Sequence, residues 1–327
     1  MLCLGIVGCG RVIRMFHVKA IDQISDLCIG AVSDVDATAM NKVMSRNSVP
    51  RGYDAYEGLL ADDEIDAIAV NTPPRFHEEM VIQALDAGKH VLCEKPLSTS
   101  VEGCHRIQDM CKDTGLVVLP AHNYSFTPGL YTMERLIKEG RIGEVVGMRV
   151  AFENNLKQYR STTDFRIRKP NGLVEDVLPH ILSVVNPILG HFSGVANVEW
   201  TCKTYPICDN MSATLRTFSG IPVECTMSWT KLVPTFELEI TGSDGRLSGE
   251  FGLRPYTVEL VTGEETHVFN EKGLEWYLDL LKFKHPSFQN QYIHFVDLIK
   301  GRSYPRVTIT DEVNMLRAIK ALSAYLE

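Results

Sequence analysis

Fully apolar runs alternate with segments of helical spacing along the first third of the chain. Strands that are apolar throughout are typical of a sheet buried on both faces, and helices between them indicate parallel crossover connections. The predicted strands are Leu2–Val7, Cys28–Val32, Ala67–Val70, His90–Cys93 and Leu116–Leu119. The predicted helices are Val12–Ile24, Asp36–Met44, Pro74–Ala87 and Ser98–Lys112. This order predicts an α/β domain over residues 1–122, a Rossmann-type doubly wound parallel sheet.

The pattern changes after Asn123, where apolar runs follow one another and turn pairs such as Asp244-Gly245 separate them. Such runs favour antiparallel strands. The predicted strands are Val145–Phe152, Ser212–Phe218, Val223–Thr230 and Phe236–Thr241, and the predicted helices are Leu173–Leu189, Phe288–Lys300 and about Asp311–Tyr325. Residues 123–327 are therefore expected to form a second, α+β domain around one large sheet. Its last helix, at about 311–325, is a candidate to pack back on the first domain.

Composition and charge narrow the class of protein. Of the 327 residues, 45% are hydrophobic and 23% are charged, which is ordinary for a globular protein. The net charge of -8 argues against nucleic acid as the main partner, because phosphate binding requires a basic face. Nine cysteines without a C-x-x-C pair indicate neither a disulfide framework nor a zinc motif, and the histidines lack metal-ligand spacing, so we expect no metal. The sequence has no signal-peptide pattern and no apolar stretch near ~18 residues, so we expect a cytoplasmic protein with no membrane partner.

The segment Gly8-Cys9-Gly10 ends the first strand and opens a helix. Gly8 permits a tight turn, and Gly10 lets the backbone approach a pyrophosphate at the helix N-terminus. The third small residue of this dinucleotide motif is replaced by Ile13, so a plain strand-to-helix turn stays open as an alternative. Arg11 and Val12 are counted with the cofactor-binding residues because they follow the turn.

Asp34 ends the second strand, where a carboxylate hydrogen bonds the adenosine ribose. A carboxylate there repels a 2′-phosphate, so NAD is favoured over NADP; a helix N-cap is the alternative role, which suits Asp36 better. Further cofactor-binding residues are predicted after the later strands of this domain: Asn71, Thr72, Pro73, His77, Glu94, Lys95 and Asn123. For His77, a structural role on the helix is the alternative.

Lys95 stands at the carboxyl end of a buried strand, in the segment Cys93-Glu94-Lys95-Pro96. A lysine there is placed to donate a proton or a hydrogen bond to a reacting oxygen. A solvated lysine at a strand end is the alternative.

Several segments resemble the Gfo/Idh/MocA family of glucose–fructose oxidoreductase and inositol dehydrogenase relatives: GIVGCGRV, VSDVD, VNTPPRFH, DAGKHVLCEKPL and NYSF-P. The resemblance is dense over residues 2–143. It implies a Rossmann domain followed by a domain with an open, mostly antiparallel sheet, which binds substrate and joins subunits into a homodimer or homotetramer. It also implies a catalytic Lys95 and a cis Lys95–Pro96 bond.

Asp176 and His180 are four residues apart and share one face of the predicted helix. An aspartate beside a histidine favours the imidazolium and orients the ring, which suits removal of an alcohol proton. A helix-start aspartate with an unrelated surface histidine is the alternative; the resemblance implies an acid/base role for His180 with Asp176 in the substrate pocket. The chain departs from the family pattern at Ser125, where arginine is common, at Ser183, where aspartate is frequent, and at Asn171-Gly172, where a glycine pair is usual.

A locally basic stretch precedes this helix and includes Tyr159, Arg166 and Arg168. Arginine pairs bind phosphate or carboxylate through bidentate hydrogen bonds, which favours an anionic substrate such as a sugar phosphate. A solvated loop or a subunit contact is the alternative.

The leading hypothesis is an NAD-dependent dehydrogenase or reductase that acts on the CH-OH group of a sugar, polyol or sugar derivative. Two others stay open. One is a relative that retains NAD and cycles it in place during epimerisation, elimination or hydrolysis. The other is a non-catalytic NAD-sensing protein.

Overall fold

The computed structural model describes residues 1–156, 165–270, 272–273, 276, 278–279, 282 and 284–326. The chain divides into two compact units. The first unit comprises Met1–Asn123 and Asp279–Val313, and the second comprises Tyr124–Leu278 and Asn314–Glu327. The division predicted at residues 122 and 123 offered only the last helix, at about 311–325, for a return to the first domain, whereas the first unit takes residues 279–313.

The first unit is built on a six-stranded parallel sheet in the order β3-β2-β1-β4-β5-β6. Val7 of β1 pairs with Val70 of β4, and Val70 pairs with Cys93 of β5, so these three strands end at one edge of the sheet. Burial of both faces explains why these strands are apolar throughout, and the doubly wound prediction is confirmed. The strands are β1 (Leu2–Val7), β2 (Leu27–Ser33), β3 (Arg51–Tyr53), β4 (Ala67–Val70), β5 (His90–Glu94) and β6 (Val118–Ala121).

Helices connect these strands, with one irregular segment at the start. The predicted helix Val12–Ile24 is instead a π-helical turn, Ile13–His17, followed by a short helix, α1 (Val18–Ile21). The chain tightens after α1 because Gln23 and Ile24 donate their amide N–H groups to carbonyls three residues back, at 3.3 and 2.9 Å. The other helices are α2 (Ala37–Asn47), α3 (Tyr56–Leu60), α4 (His77–Asp86) and α5 (Val101–Thr114).

The second unit is built on an eight-stranded sheet in the order β14-β13-β12-β11-β7-β10-β9-β8. All neighbours are antiparallel except β7 and β10, which run parallel, so the mostly antiparallel prediction is confirmed. Two helices belong to this unit, α6 (Pro128–Lys138) and α7 (Gly172–Leu189). The strands are β7 (Val145–Asn155), β8 (Phe192–Thr201), β9 (Asn210–Thr217), β10 (Pro222–Ser228), β11 (Thr230–Gly242), β12 (Arg246–Glu250), β13 (Val258–Thr262) and β14 (Glu265–Phe269).

Helix α7 is the core helix of the second unit. It is the one helix among the described residues that is long and apolar enough to cross a membrane, but 67% of that window is buried inside the fold. Leu173, Val177, Ile181 and Val184 lie in a cluster with buried residues of the sheet such as Met227. The apolar character of α7 therefore follows from its packing against the core of the second unit.

Two further helices follow the second sheet, α8 (Pro286–Ile299) and α9 (Ile309–Ser323). Helix α8 lies in the first unit, where Phe288 stacks on Phe16 with ring centroids 5.0 Å apart. The division between the units falls within α9, between Val313 and Asn314. Met315, Ala318 and other α9 residues after this point join the core of the second unit.

Candidate functional site

The turn after β1 holds two glycines with different surroundings. Gly8 has a φ of 91°, and a Cβ atom there would lie 2.6 Å from the carbonyl oxygen of Asn71. At Gly10, apart from its chain neighbours, no atom of the described residues lies within 4 Å of the Cβ position. Gly8 is thus required by the fold, whereas Gly10 leaves the open space that a pyrophosphate needs. The following residues, Arg11 and Val12, are exposed.

Asp34 connects β2 to this turn. Its Oδ2 atom accepts the amide N–H of Cys9 at 2.5 Å, and its Oδ1 atom accepts that of Asp36 at 2.8 Å. Asp36 itself caps α2 by accepting the amide N–H groups of Thr38 and Ala39, so the N-cap role belongs to Asp36, as predicted. The carboxylate of Asp34 is half-buried beside the glycine turn.

The loop after β4 presents an unsatisfied polar atom. Asn71 donates Nδ2–H to the carbonyl of Ala69 at 3.0 Å, but its Oδ1 atom is buried and is hydrogen bonded by no residue that the structure describes. A buried oxygen without a donor is destabilising by roughly 1–3 kcal/mol, so Asn71 is suited to accept a hydrogen bond from a ligand. Next to it, Thr72 contacts the sulfur of Met80 at 3.3 Å, and Pro73 leads into the turn before α4.

His77 joins this loop to the turn after β5. Its ring is only 1% exposed; Nδ1 lies 2.7 Å from the carbonyl oxygen of Pro96 and Nε2 lies 2.7 Å from that of Thr72. Carbonyl oxygens only accept hydrogen bonds, so both contacts are satisfied only when both nitrogens carry protons. With both nitrogens directed at the backbone, His77 holds two loops together.

The turn after β5 carries Glu94 and Lys95. The Lys95–Pro96 peptide bond is cis, and the Lys95 side chain is half-buried. The amide N–H of Lys95 donates to Oε2 of Glu94 at 3.2 Å. Burial alone would raise the pKa of Glu94, but a hydrogen bond from His17 and the charges of His17, Lys95 and His77 outweigh it, and that pKa lies below its ordinary value.

The residues that follow β6 are tied to the returning segment of the first unit. Asn123 is 8% exposed and donates Nδ2–H to Oγ of Ser287 at 2.8 Å. The buried carboxylate of Glu312 contacts the ring of His122 and accepts the amide N–H of Leu97, just beyond the cis bond, at 2.9 Å. Glu312 of α9 therefore stabilises the segment that follows the Lys95 turn.

These residues fit a dinucleotide in their chemistry. The first unit combines open space at Gly10, a half-buried carboxylate at Asp34 and an unsatisfied buried oxygen at Asn71, all at the carboxyl edge of a parallel sheet. Ligands of open α/β sheets bind at this edge.

In the second unit, α7 presents Asp176 to two donors. Oδ2 of Asp176 accepts a hydrogen bond from Nη1 of Arg166 and another from the indole N–H of Trp229, both at 3.2 Å. Arg166 and Asp176 are both largely buried, with 21% and 13% of their side chains exposed. Arg166 thus forms an ion pair with a second predicted site residue.

His180 lies one turn further along α7, between aromatic rings. The ring of Phe152 stacks on it with centroids 4.7 Å apart, and Tyr124 meets it edge-on at 5.5 Å. Stacking fixes the plane of the imidazole while the ring stays half-buried. Such a ring is suited to proton transfer, since its orientation is set before a substrate arrives.

The two serine departures from the family pattern lie together beneath His180. Ser125 is 1% exposed and donates Oγ–H to the carbonyl of Ser183 at 2.7 Å. Ser183 in turn donates Oγ–H to the carbonyl of His180 at 2.6 Å. Both replacements therefore act on the same turn of α7.

Two predicted substrate-binding residues remain. Arg168 is exposed, and Tyr159 lies outside the described residues. Within the described ranges, no group of three or more His, Cys, Asp or Glu residues is arranged to hold a metal ion.

Three residues of these sites were not predicted from the sequence. His17 and Tyr292 lie behind Glu94, and Trp229 binds Asp176. Each acts across a long separation, 275 residues for His17 and Tyr292. No local pattern could have paired them, although His17 falls within the predicted first helix and could have been marked as its buried polar residue.

Comparison with known proteins gives matches over most of the chain. Residues 2–122 match the Gfo/Idh/MocA model described as an oxidoreductase family with an NAD-binding Rossmann fold, and residues 130–248 match the C-terminal domain model of the same family.

Several curated relatives match over nearly their full length. D-xylose 1-dehydrogenase (NADP(+)) 2 of Haloferax volcanii is 26% identical, over 98% of this chain and 96% of that protein. Myo-inositol 2-dehydrogenase of Thermotoga maritima is 26% identical, over 94% of this chain and 91% of that protein. Among solved structures, a 3-ketoreductase from Actinomadura kijaniata in complex with NADP and TDP-benzene shares the fold, with a TM-score of 0.80, 20% identity and coverage of 99% and 97% of the two chains.

Proposed function

The chain belongs to the Gfo/Idh/MocA family of oxidoreductases, and we propose that it transfers hydride between a nicotinamide dinucleotide and a secondary alcohol or ketone of a sugar or polyol. Two full-length relatives are named as dehydrogenases of D-xylose and myo-inositol, which supports this substrate class. The observation that carries the proposal is the placement of Lys95 directly after β5, beside the end of β4 where Asn71 has an unsatisfied buried oxygen.

The cofactor in this proposal is NAD, held by Gly10, Asp34, Asn71 and Thr72. When bound, it supplies the hydride acceptor for alcohol oxidation and the hydride donor for ketone reduction. Asp34 supports NAD over NADP because its half-buried carboxylate disfavours a second phosphate nearby. The relative from Haloferax volcanii is named for NADP, so this choice depends on Asp34 itself.

The proposed proton chemistry uses His180 and Lys95, to which the family resemblance assigns catalysis. In alcohol oxidation the C–H bond releases hydride, and the O–H proton passes to a ring nitrogen of His180. Lys95 donates a hydrogen bond to the same oxygen and stabilises the negative charge that develops there. Asp176, which accepts hydrogen bonds from Arg166 and Trp229, is proposed to line the substrate pocket. Ketone reduction reverses each step.

The substrate is proposed to be an uncharged sugar or polyol. The positive charge of Arg166 is paired with Asp176 at 3.2 Å, which supports hydroxyl recognition rather than phosphate recognition at that point. An anionic group bound by Arg168 and Tyr159 stays a prediction of the sequence, as does assembly into a homodimer or homotetramer.

A substrate panel tests the proposal. Polyols, sugars, sugar acids and sugar phosphates are incubated with NAD or NADP while nicotinamide absorbance is followed. We expect turnover with at least one uncharged sugar or polyol. Tightly bound dinucleotide after purification, together with no net absorbance change on any substrate, would instead favour cycling of the cofactor in place.

Replacement of His180 tests its role on the active substrate. His180→Ala should lower kcat by about 10²–10⁴-fold, the usual contribution of a general acid or base, with NADH affinity unchanged in a fluorescence titration. His267→Ala is the matched control, because His267 is exposed on β14 and contacts only Glu265 among the pairs described. Unchanged turnover in His180→Ala contradicts the assignment.

A further inference from the structure

A chain of buried hydrogen bonds leads from α8 to the Lys95 turn within the first unit. The hydroxyl of Tyr292 lies 2.8 Å from Nδ1 of His17, and Nε2 of His17 lies 3.0 Å from Oε1 of Glu94. Tyr292 and His17 are both fully buried, at 0% exposure. Glu94 immediately precedes Lys95, whose amide N–H it also accepts.

The direction of the hydrogen bond between His17 and Glu94 follows from the groups at its ends. A carboxylate only accepts, so Nε2–H of His17 donates to Glu94. Burial raises the pKa of Tyr292 well above its ordinary value, so its hydroxyl keeps its proton beside Nδ1 of His17. The contact with Tyr292 on one ring nitrogen and with Glu94 on the other fixes the orientation of the His17 ring.

His17 also occupies an unusual place in the fold. It ends the π-helical turn that follows the glycine turn, and Phe288 packs edge-on against its ring at 5.1 Å. π-Helical turns are rare and occur frequently at functional sites. His17 thus lies next to the glycine turn in the chain and contacts both the carboxyl end of β5 and helix α8.

We propose that His17 is a positioning residue for the dehydrogenase reaction: it fixes the Glu94 carboxylate, which accepts the amide N–H of Lys95, and so holds the Lys95 turn in place for the reacting oxygen. This inference rests on the proposed function. Glu94 is only 21% exposed at its side chain, so a carboxylate there needs a donor to stay oriented and ionised. His17 is that donor, and a misplaced Lys95 would lower the rate without preventing cofactor binding.

Two replacements of His17 separate positioning from packing. His17→Gln puts an amide N–H near the place of Nε2 and can still reach Glu94, whereas the shorter His17→Asn cannot. We expect His17→Asn to lower kcat by about 10²-fold, the effect of a small misplacement of a catalytic group, with KM for NAD changed less than about threefold. His17→Gln should recover most of this loss. Phe288→Leu removes the aromatic contact without touching the hydrogen bonds and should leave kcat close to that of the wild type.

A titration of Glu94 tests the same point without turnover. The side-chain carboxyl is followed by ¹³C NMR in protein labelled at glutamate, and Glu94→Gln identifies its signal. The charged and titratable groups that interact with Glu94 among the described residues are His17 from the π-helical turn, Lys95 from its own turn, His77 from α4 and the buried thiol of Cys93 on β5, with Tyr292 of α8 behind His17. Because the His17 hydrogen bond lowers the pKa of Glu94, His17→Asn should move the titration midpoint to higher pH, while His17→Gln should not.

The outcomes are distinguishable. Equal losses of kcat in His17→Asn and His17→Gln, or an unchanged Glu94 midpoint in His17→Asn, overturn the positioning role. If the wild-type enzyme turns over no substrate of the panel, the proposed function fails, while the Glu94 midpoints still decide whether His17 holds the carboxylate. A raised Glu94 midpoint in His17→Asn, together with a loss of kcat that His17→Gln does not share, supports both the proposed function and the positioning role of His17.

Discussion

At the scale of single residues, the carboxylate of Asp34 determines the expected cofactor preference. Asp34→Asn removes the charge but keeps an oxygen that can accept the amide N–H of Cys9. We expect the ratio of kcat/KM for NAD to that for NADP to fall by about tenfold or more, equivalent to about 1.4 kcal/mol. Asp36→Asn is the control, because asparagine caps a helix as well as aspartate does and removes the same charge two residues away. An equal change of the ratio in both variants argues against a specific role for Asp34.

Gly8 and Gly10 form a matched pair for separating folding from cofactor binding. Gly8→Ala forces a Cβ to within 2.6 Å of a carbonyl oxygen at a φ of 91°, so we expect it to lower the free energy of unfolding by about 2–4 kcal/mol. Gly10→Ala meets no such contact and should change stability by less than about 1 kcal/mol. It should nevertheless weaken NADH binding, because the new methyl group occupies the space left for the pyrophosphate. Urea unfolding and a fluorescence titration measure the two effects, and wild-type affinity in Gly10→Ala would contradict the phosphate site.

At the scale of elements, the family pattern explains the serines beneath His180 as a paired replacement. Ser125 and Ser183 are 1% and 6% exposed, so a lone charge at either position would be buried without a partner. We expect Ser125→Arg and Ser183→Asp each to lower the free energy of unfolding by about 3 kcal/mol or more. The double variant should regain at least ~1 kcal/mol relative to the sum, which urea unfolding of the four proteins measures as a double-mutant cycle. Additive losses would show that the two positions are independent.

The elements that the sequence predicted are those with enough residues to show a period. The apolar strands β1, β4 and β5 and the helices α4, α5 and α7 follow directly from their patterns. Strand β3 and helix α3 were missed because three and five residues carry no readable period. Helix α6 and strand β8 were also missed, although they have 11 and 10 residues. The first helix was expected to be regular, yet Ile13–His17 is π-helical, a distinction that residue spacing cannot make over one turn.

At the scale of the whole molecule, the sequence suggested a return to the first domain only for the last helix, and the return of residues 279–313 to the first unit was not predicted. It depends on contacts between residues far apart in sequence, such as His122 with Glu312, which are separated by 190 residues. The candidate site residues likewise fall into those that a local motif marks and those that only long-range contacts bring in. Lys95, Asp34 and His180 were identified because motifs mark them, whereas Tyr292 and Trp229 enter only through the tertiary fold.

The nine cysteines provide a test of burial across both units. All nine are free thiols, and only Cys202 is exposed. Burial raises the pKa of Cys9, Cys104 and Cys208 to about 12 and that of Cys111 to about 11, which leaves little thiolate at pH 8. Cys93 and Cys225 are fully buried as well, and their pKa values are also raised by burial. Since the thiolate is the reactive form, we expect one fast-reacting thiol with a disulfide reagent in the native protein, and all nine after unfolding.

Cys202→Ser should remove the fast phase, and Cys28→Ser, at a half-buried position, should leave it intact. If several thiols react at once in the native protein, the burial of the other eight is not maintained in solution. If the fast phase survives in Cys202→Ser, a thiol that the fold encloses must be reached through local opening. The rate of that phase as a function of denaturant would then assign the opening to one of the two units, because the free energy of local opening differs between segments of a fold.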